Sequence, residues 1–415
     1  MGTLISIEIG NYGFITEKNT FGDLLLPFSP TNLHIEEAKD ESGIAITKRY
    51  FRLSISQIKD ILDHTGHTLM AAENDFEHSK ENIVYIYRRV EDVEKGHRPT
   101  ADEVEQFCSF DEWCEAVKKY ALILARDTFD YSKFKYWALE EERKKLLTIP
   151  EKIVMDTLPF GYFGLEYEDI DRWNLFRVIV EAFPDDEVVT LDYTELFEAG
   201  WCDETPSEEE YCSEKTIILT EGKFDAEAIS ESLQLFYPHM SKFFSFVDFD
   251  TYRVQGSTNF VTHYFKLFAS LGIKNHVIAL YDNDAAGIAE IVTLKKMYFP
   301  KNFTIMTLPD LDIAKNYPTI TDGVIEYQDV NGCACSIEMF LGPDVLTEEG
   351  KLIPVEWESI NPKAKVMQGK LQHKKSIQER FRNKLKTAKN TGIVEADSWR
   401  EMKILLSSIF STSQN

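Results

Sequence analysis

The chain has 415 residues, enough for two or three domains with a substantial core, and its hydrophobic (43%) and charged (28%) fractions are those of an ordinary globular protein. No apolar run approaches the roughly 20 residues that a membrane helix needs, so no membrane span or membrane partner is expected. The formal net charge of −25 opposes nonspecific nucleic-acid binding by the whole surface and leaves room for a local basic groove.

The first residues, MGTLISIEIG, lack a basic stretch ahead of an apolar core, so a signal peptide is not expected. Gly2 and Ser6 fit the loose myristoylation pattern. The alternation of Ile5, Ile7 and Ile9 with Leu4, Ser6 and Glu8 reads instead as a first strand. YGFITEK is a second strand and TKRYFRLS a third. From SISQIKDILDHTG onward the period becomes helical, with Ser54 or Ser56 as cap and Ile58, Ile61 and Leu62 on one face. Helices continue to about residue 183, with DEWCEAVKKYALILARDTF and WALEEERKKLL as the clearest amphipathic stretches. EVVTLDYTELFEAG then reads as a strand and a short helix. The expectation is an N-terminal α+β domain over residues 1–99, continued by a helical region over 100–201. CDETPSEEEYCSE, residues 202–214, is acidic and turn-prone and reads as a linker. The six cysteines show no paired zinc spacing; Cys333 and Cys335 form a C-x-C, with Cys202 and Cys212 far from them. Reduced thiols in the cytoplasm are expected.

After the linker, apolar runs alternate with helical stretches. TIILTEG, FFSFVDFD, HVIALYDND and FTIMTLPD are the runs; KFDAEAISESLQLF, STNFVTHYFKLFASLG and AAGIAEIVTLKKMYF lie between them. Gly272 is placed to end the second helix. Strands alternating with helices predict an α/β fold: right-handed βαβ units and a parallel sheet with helices on both faces. Sites in such sheets lie at the carboxyl ends of the strands. Those ends carry Glu221, Asp248 with Asp250, and Asp282 with Asp284, while Asp225 stands one helical turn past Glu221. Alternate strand residues point the same way, so Asp282 and Asp284 should sit side by side, a costly pairing that a divalent metal would offset. If the strands are neighbours, Glu221, Asp282 and Asp284 converge, and oxygen ligands of this kind suit Mg²⁺ or Mn²⁺. Asp248 and Asp250 read as solvated loop acids, and His263 and His276 as structural histidines. Small Ala285, Ala286 and Gly287 leave room at the next helix's N-terminus.

TEGKFD, followed about 60 residues later by ALYDNDAAG, resembles a Toprim domain, the catalytic module of topoisomerases, primases and OLD-family nucleases. The resemblance implies a Rossmann-like Toprim domain over 215–345 in which Glu221, Asp282 and Asp284 are catalytic and metal-binding. The E-G-x-x-D form is similar to OLD-type nucleases and gives Asp225 a role with another metal; a helix acid favoured by the dipole is the alternative. CSIEMFLG resembles that group's late acidic motif, which would make Glu338 a ligand; a structural acid is the alternative. The implied chemistry is metal-assisted phosphodiester hydrolysis. MGTLISIEIGNYGFITEKN resembles the HEPN/Toprim-associated N-terminal domain of bacterial conflict and phage-defence proteins. HEPN ribonucleases use an Arg followed four to six residues later by His, and this sequence has no such pair; Arg89 and His97 are spaced too widely.

Residues 363–389 hold ten Lys or Arg and one acid, Glu379. Lys363, Lys365, Lys374, Lys375, Arg380, Arg382, Lys384 and Lys386 could track the phosphates of a DNA or RNA substrate. Lys370 could enter the site and stabilise developing charge. The blander reading is a solvated helix that balances acidic neighbours, within a basic helical region over 346–415. Two other functions fit parts of the pattern. One is a catalytically silent Toprim unit that binds nucleic acid or senses phage. The other is a haloacid-dehalogenase-like phosphatase with Asp282 as nucleophile and Asp284 as acid/base, which would leave Glu221 unexplained. No GxxxxGK[ST] loop occurs, so any ATPase control would come from a separate regulatory partner.

Overall fold

The computed structural model describes residues 2–39, 43–89, 99–126, 146–157, 170–207, 211 and 214–413. The chain divides into two compact units, Met1–Cys212 and Ser213–Asn415.

The first unit is built on an antiparallel sheet of order β2-β1-β5-β4-β3. Its strands are β1 (Leu4–Ile9), β2 (Tyr12–Lys18), β3 (Leu33–Lys39), β4 (Ala45–Ser54) and β5 (Val188–Asp192). Ile5, Ile7 and Ile9 are buried, as their alternation requires. Helices described in the unit are Ile55–His64, Leu69–Arg89, Ala101–Phe107, Phe110–Arg126, Ile149–Thr157, Arg172–Ile179 and the short Thr194–Glu198. Ser54 is the cap of the first of these: its Oγ accepts the Gln57 N–H at 3.3 Å, and the Gln57 side chain accepts the Ser54 N–H at 2.9 Å. The expected helix WALEEERKKLL lies outside the described residues apart from its last two. The start of the acidic segment is tied down: Arg49, stacked over Phe197, holds the Glu204 carboxylate at 2.8 Å, and the Tyr193 hydroxyl donates to the Glu204 carbonyl at 2.6 Å.

Arg177 makes the most enclosed ion pair described in this unit. Its Nε donates to Asp63 at 2.7 Å and its guanidinium also reaches Glu181, with 9% of the side chain exposed. Arg177→Ala takes this cation from Asp63 and leaves Glu181 only the Lys59 ammonium, at 3.7 Å. It is expected to cost about 3–5 kcal/mol in urea unfolding; a loss under 1 kcal/mol would show that water already serves these acids.

The second unit carries β6 (Thr216–Leu219), β7 (Phe244–Phe246), β8 (Val277–Tyr281), β9 (Asn283–Asp284) and β10 (Phe303–Thr307). β10, β8, β6 and β7 form a parallel sheet in that order. Helices flank it, so the fold is α/β as expected. Helix Thr258–Leu271 packs on β8 and against helix Ala285–Leu294, while helix Lys223–Phe236 packs against helices Lys374–Thr391 and Arg400–Ser413. Gly272 ends helix Thr258–Leu271 in the left-handed conformation, φ 67°. Val261, Phe265, Val277, Ala279 and Leu294 are fully enclosed in the core of this sheet.

The region after residue 345 is not uniformly helical, contrary to expectation. β11 (Tyr317–Thr321), β12 (Val324–Gln328), β16 (Val355–Ile360) and β17 (Met367–Leu371) form a second sheet. The short β13 (Ala334–Cys335) pairs with β9, and β14 (Thr347–Glu348) with β15 (Lys351–Leu352). The reason is a period of two inside the basic stretch: Gly369 and Leu371 point inward and Lys370 outward. The five described cysteines, Cys108, Cys114, Cys202, Cys333 and Cys335, are free. Among the described residues no helix is long and apolar enough to cross a membrane.

Candidate metal centre

The sheet order fixes where a site can form. The chain goes from β6 to β7 on one side and returns to β8 on the other, so the strand order reverses between β6 and β8. A crevice opens at the carboxyl ends of strands at such a switch point. Glu221 leaves β6 there and Asp282 leaves β8. The Asp282 backbone N–H donates to Glu221 Oε1 at 3.0 Å, and the Thr258 hydroxyl donates to Glu221 Oε2 at 2.6 Å. Thr258 reaches that far because Gly256 packs flat against the chain at Glu221; a Cβ on Gly256 would overlap the Glu221 carbonyl oxygen.

β8 stops at Tyr281, so the expected side-by-side display of Asp282 and Asp284 holds only in part. Between them Asn283 is fixed by Asp310, to which it donates at 2.8 Å, and by the Gly332 N–H, which it accepts at 3.1 Å. Asp284 turns to cap the next helix. Its Oδ1 accepts the Gly287 N–H at 2.8 Å and its Oδ2 accepts from Gln368 at 2.8 Å. Asp225 caps its own helix through the Gly222 N–H at 2.8 Å, and it also borders a narrow cavity with Glu221, Asp282 and Ile337. Glu338 is 2% exposed. Its Oε2 accepts from Ser336 at 2.6 Å and pairs with the Lys374 ammonium at 3.0 Å, and its Oε1 accepts from Gln378 at 2.9 Å.

These acids act on one another. Burial, then the charges of Asp225 and Glu221, holds the Asp282 carboxyl well above the usual carboxylate range. Burial, with Glu338 and Glu221, pushes Asp225 up to about 7. Burial also raises Glu221, with Asp284 adding to it against the hydrogen bonds from Thr258 and Asp282. Glu338 goes the other way. Burial would raise it, but the Lys374 charge and the hydrogen bonds from Ser336, Gln378 and Lys374 bring it below the usual range. Lys374 is correspondingly raised: burial opposes its charge, and Glu338 and Asp282 outweigh that.

The structure therefore gathers Glu221, Asp225, Asp282, Asp284 and Glu338 into one interacting group. Lys370 lies elsewhere, exposed on β17 opposite Glu356. The lysine among the acids is Lys374, with Gln378 one turn on; the i, i+4 spacing of that pair on the helix was the available signal. Thr258 and Gln368 carry no signal of their own in sequence. Asp248 accepts the Asp250 and Thr251 N–H groups in a turn, and Asp250 pairs with Lys223. His276 shares a hydrogen bond with Thr304 at 3.0 Å.

Much of the basic stretch is engaged within the unit. Arg382 grips Glu227 at 2.6 and 2.7 Å, Arg380 donates to the Thr347 carbonyl at 2.7 Å, and Lys384 reaches Asp344 at 2.7 Å. Lys363 comes within 3.5 Å of Glu290 yet is exposed, as are Lys365, Lys375 and Lys386.

Hard carboxylate oxygens under mutual repulsion suit a divalent cation. Glu221, Asp282 and Asp284 are the residues that would hold it. In the conformation described, Glu221, Asp225, Asp284 and Glu338 are each turned to a protein donor. Among the described residues, no three His, Cys, Asp or Glu side chains close round a common metal position.

The family model described as HEPN/Toprim N-terminal domain 1 matches residues 1–216. That is just over half of the chain, and the chain belongs to this family. Comparison with curated proteins finds no match, and comparison with solved structures finds none either.

Proposed function

We propose that Ser213–Asn415 is a Toprim-type catalytic unit, similar to those of OLD nucleases, and that the protein hydrolyses phosphodiester bonds of DNA or RNA with Mg²⁺ or Mn²⁺. The observation that carries this reading is the Glu221–Asp282 hydrogen bond at the sheet's switch point, with Asp284 beside it. The family of the first unit is named for its association with Toprim domains, which supports the pairing. A role as an effector of bacterial antiviral defence, under a regulatory partner, rests on the resemblance of that unit alone.

A bound divalent ion would supply a Lewis acid and an activated water. The chain's own contribution is position. Thr258 and the Asp282 N–H fix both oxygens of Glu221, Gln368 and Gly287 fix Asp284, and Asp282 keeps its carboxylate for the site. Exposed Lys363, Lys365, Lys375 and Lys386 would follow substrate phosphates; Lys370 has no role in the proposal. The phosphatase alternative is disfavoured because Asp282 follows the third strand of its unit and is hydrogen-bonded to Glu221.

The test incubates the full chain with plasmid, single-stranded DNA and total RNA in Mg²⁺, Mn²⁺ or EDTA. Cleavage that needs metal and disappears in Glu221→Ala is the expected result. Binding of nucleic acid without turnover would convert the reading to a silent Toprim unit. Hydrolysis of a small phosphomonoester in place of a polynucleotide would revive the phosphatase.

A further inference from the structure

Resting on the nuclease reading above, we propose that the substrate is an unpaired nucleic-acid strand and that it leaves the acid site along the outer face of helix Thr258–Leu271. The first observation is where this acidic chain has no acid. Of its 415 residues 70 are Asp or Glu, yet none lies in residues 251–281 or 291–309. The same stretches carry Arg253, Lys266, Lys274, Lys295, Lys296 and Lys301. Among the described residues none of these cations forms an ion pair, and all but the half-buried Lys266 are exposed. The basic helix Lys374–Thr391 is the contrast: its Lys374, Arg382, Lys384 and Lys389 are each paired to an acid of the same unit.

The fold joins these stretches into one surface. Helix Thr258–Leu271 starts at the site, where Thr258 holds Glu221 and Gly256 packs against the Glu221 carbonyl. It then runs back along the sheet for about 21 Å, to the amino ends of the strands. Asn259, His263, Lys266 and Ser270 recur at helical spacing on its outer side. The first three of them line a groove of about 660 Å³ with Gln255 and Ser257. At the far end the Asn302 side chain donates to the Lys274 carbonyl at 3.2 Å and the Asn275 carbonyl at 2.9 Å, which sets Lys274 beside Lys301. An exposed tyrosine stands among cations at each end: Tyr252, 77% exposed, next to Arg253, and Tyr298, 93% exposed, between Lys296 and Lys301. Cations for phosphates and rings for unstacked bases are the two parts of a single-strand surface. A helix dipole favours Lys274, Lys295 and Lys296, which follow helix C-termini. It does not account for Lys266, Lys301 or either tyrosine. The dipole also favours an acid in the first turn of helix Thr258–Leu271, and there is none.

The experiment measures binding of labelled oligo(dT) and oligo(U), and of a labelled duplex, to the full chain by fluorescence anisotropy. It is run in EDTA over a range of salt, so that neither metal nor cleavage is needed. The single strands are expected to bind about tenfold more tightly than the duplex. Replacing Lys295, Lys296 and Lys301 together by Gln should reduce the magnitude of the salt slope by about 2, and Tyr298→Ala should weaken binding about tenfold. Lys351→Gln, on β15, leaves both unchanged. All of these are exposed positions, and equal thermal melts confirm that the variants fold. Unchanged slope and affinity in the first two variants, or equal binding of the duplex, would overturn the proposal whatever the metal dependence of cleavage. Capture by phosphatidylserine vesicles with no oligonucleotide bound would overturn it in favour of a membrane surface, which the exposed Leu271 and Met297 would also suit. Strand binding as expected, with no metal-dependent cleavage, would leave the proposed surface standing and overturn the catalytic reading alone.

Discussion

Asp282→Asn is expected to abolish nucleic-acid cleavage while making the metal-free protein more stable. The two effects share one cause. Asp282 leaves β8 into a crevice already holding Glu221 and Asp225, and its carboxyl is driven toward the protonated form by burial and by those neighbours. An amide of the same shape removes the repulsion, so unfolding in EDTA should become harder by about 1–3 kcal/mol. For a unit of this size that is a rise in melting temperature of about 2–12 °C. The same substitution removes a metal ligand, and cleavage should fall by about a thousandfold or more. Mg²⁺ should raise the wild-type melting temperature and leave that of the variant unchanged. Paired melts with and without Mg²⁺ are the measurement. A variant that is less stable than wild type in EDTA would show that Asp282 is a structural acid and would count against the site.

Gly287→Ala should be among the most damaging single-methyl changes in the second unit. A Cβ at Gly287 would overlap the Asp282 carbonyl oxygen and press on the Cβ of Tyr281. Helix Ala285–Leu294 would have to move away from the end of β8, taking with it the Gly287 N–H that holds Asp284. Overpacking of this kind costs about 2–3 kcal/mol. Because it acts between Asp282 and Asp284, cleavage should fall further than the stability loss explains. Ala286→Gly is the control: it weakens the same helix by about 1 kcal/mol with no clash. Equal melting temperatures for Gly287→Ala and wild type would mean that the close approach between helix and strand end is not there.

What the sequence disclosed follows physical lines. β1, β2, β6, β8 and β10 each bury apolar residues in a local period or run and could be read directly, as could the helices between them. β3 could not. Its sequence LHIEEAK lies on the sheet edge with no residue fully buried, so it carries no apolar signal. β7 was overestimated because FFSFVDFD mixes a three-residue strand with a turn closed by Asp248. Glu221, Asp282 and Asp284 stood out because they follow strands, and Asp225 and Glu338 through the resemblance of E-G-x-x-D and CSIEMFLG to nuclease motifs. Their partners did not, since a Thr, a Gln or a Lys that serves a carboxylate from another element looks like any surface residue until the chain is folded. Lys370 and Lys374 differ in this way. Both lie in one basic stretch, and only the turn between β17 and the following helix decides which reaches the acids.

The order of the first sheet has a consequence for how the molecule is made. β5 is its middle strand, paired to β1 on one side and β4 on the other, yet it arrives more than a hundred residues after β4 in the chain. During synthesis the hairpins β1–β2 and β3–β4 are made first, each with an inner edge of unpaired N–H and C=O groups and with Ile7, Ile9, Phe51 and Leu53 unburied. Such edges pair with whatever is near, and long-range closure is slow. A fragment trimmed before Val188 would keep both hairpins and lose the strand that joins them, and it should aggregate. The nascent chain must keep two halves of a sheet apart until its keystone is delivered last.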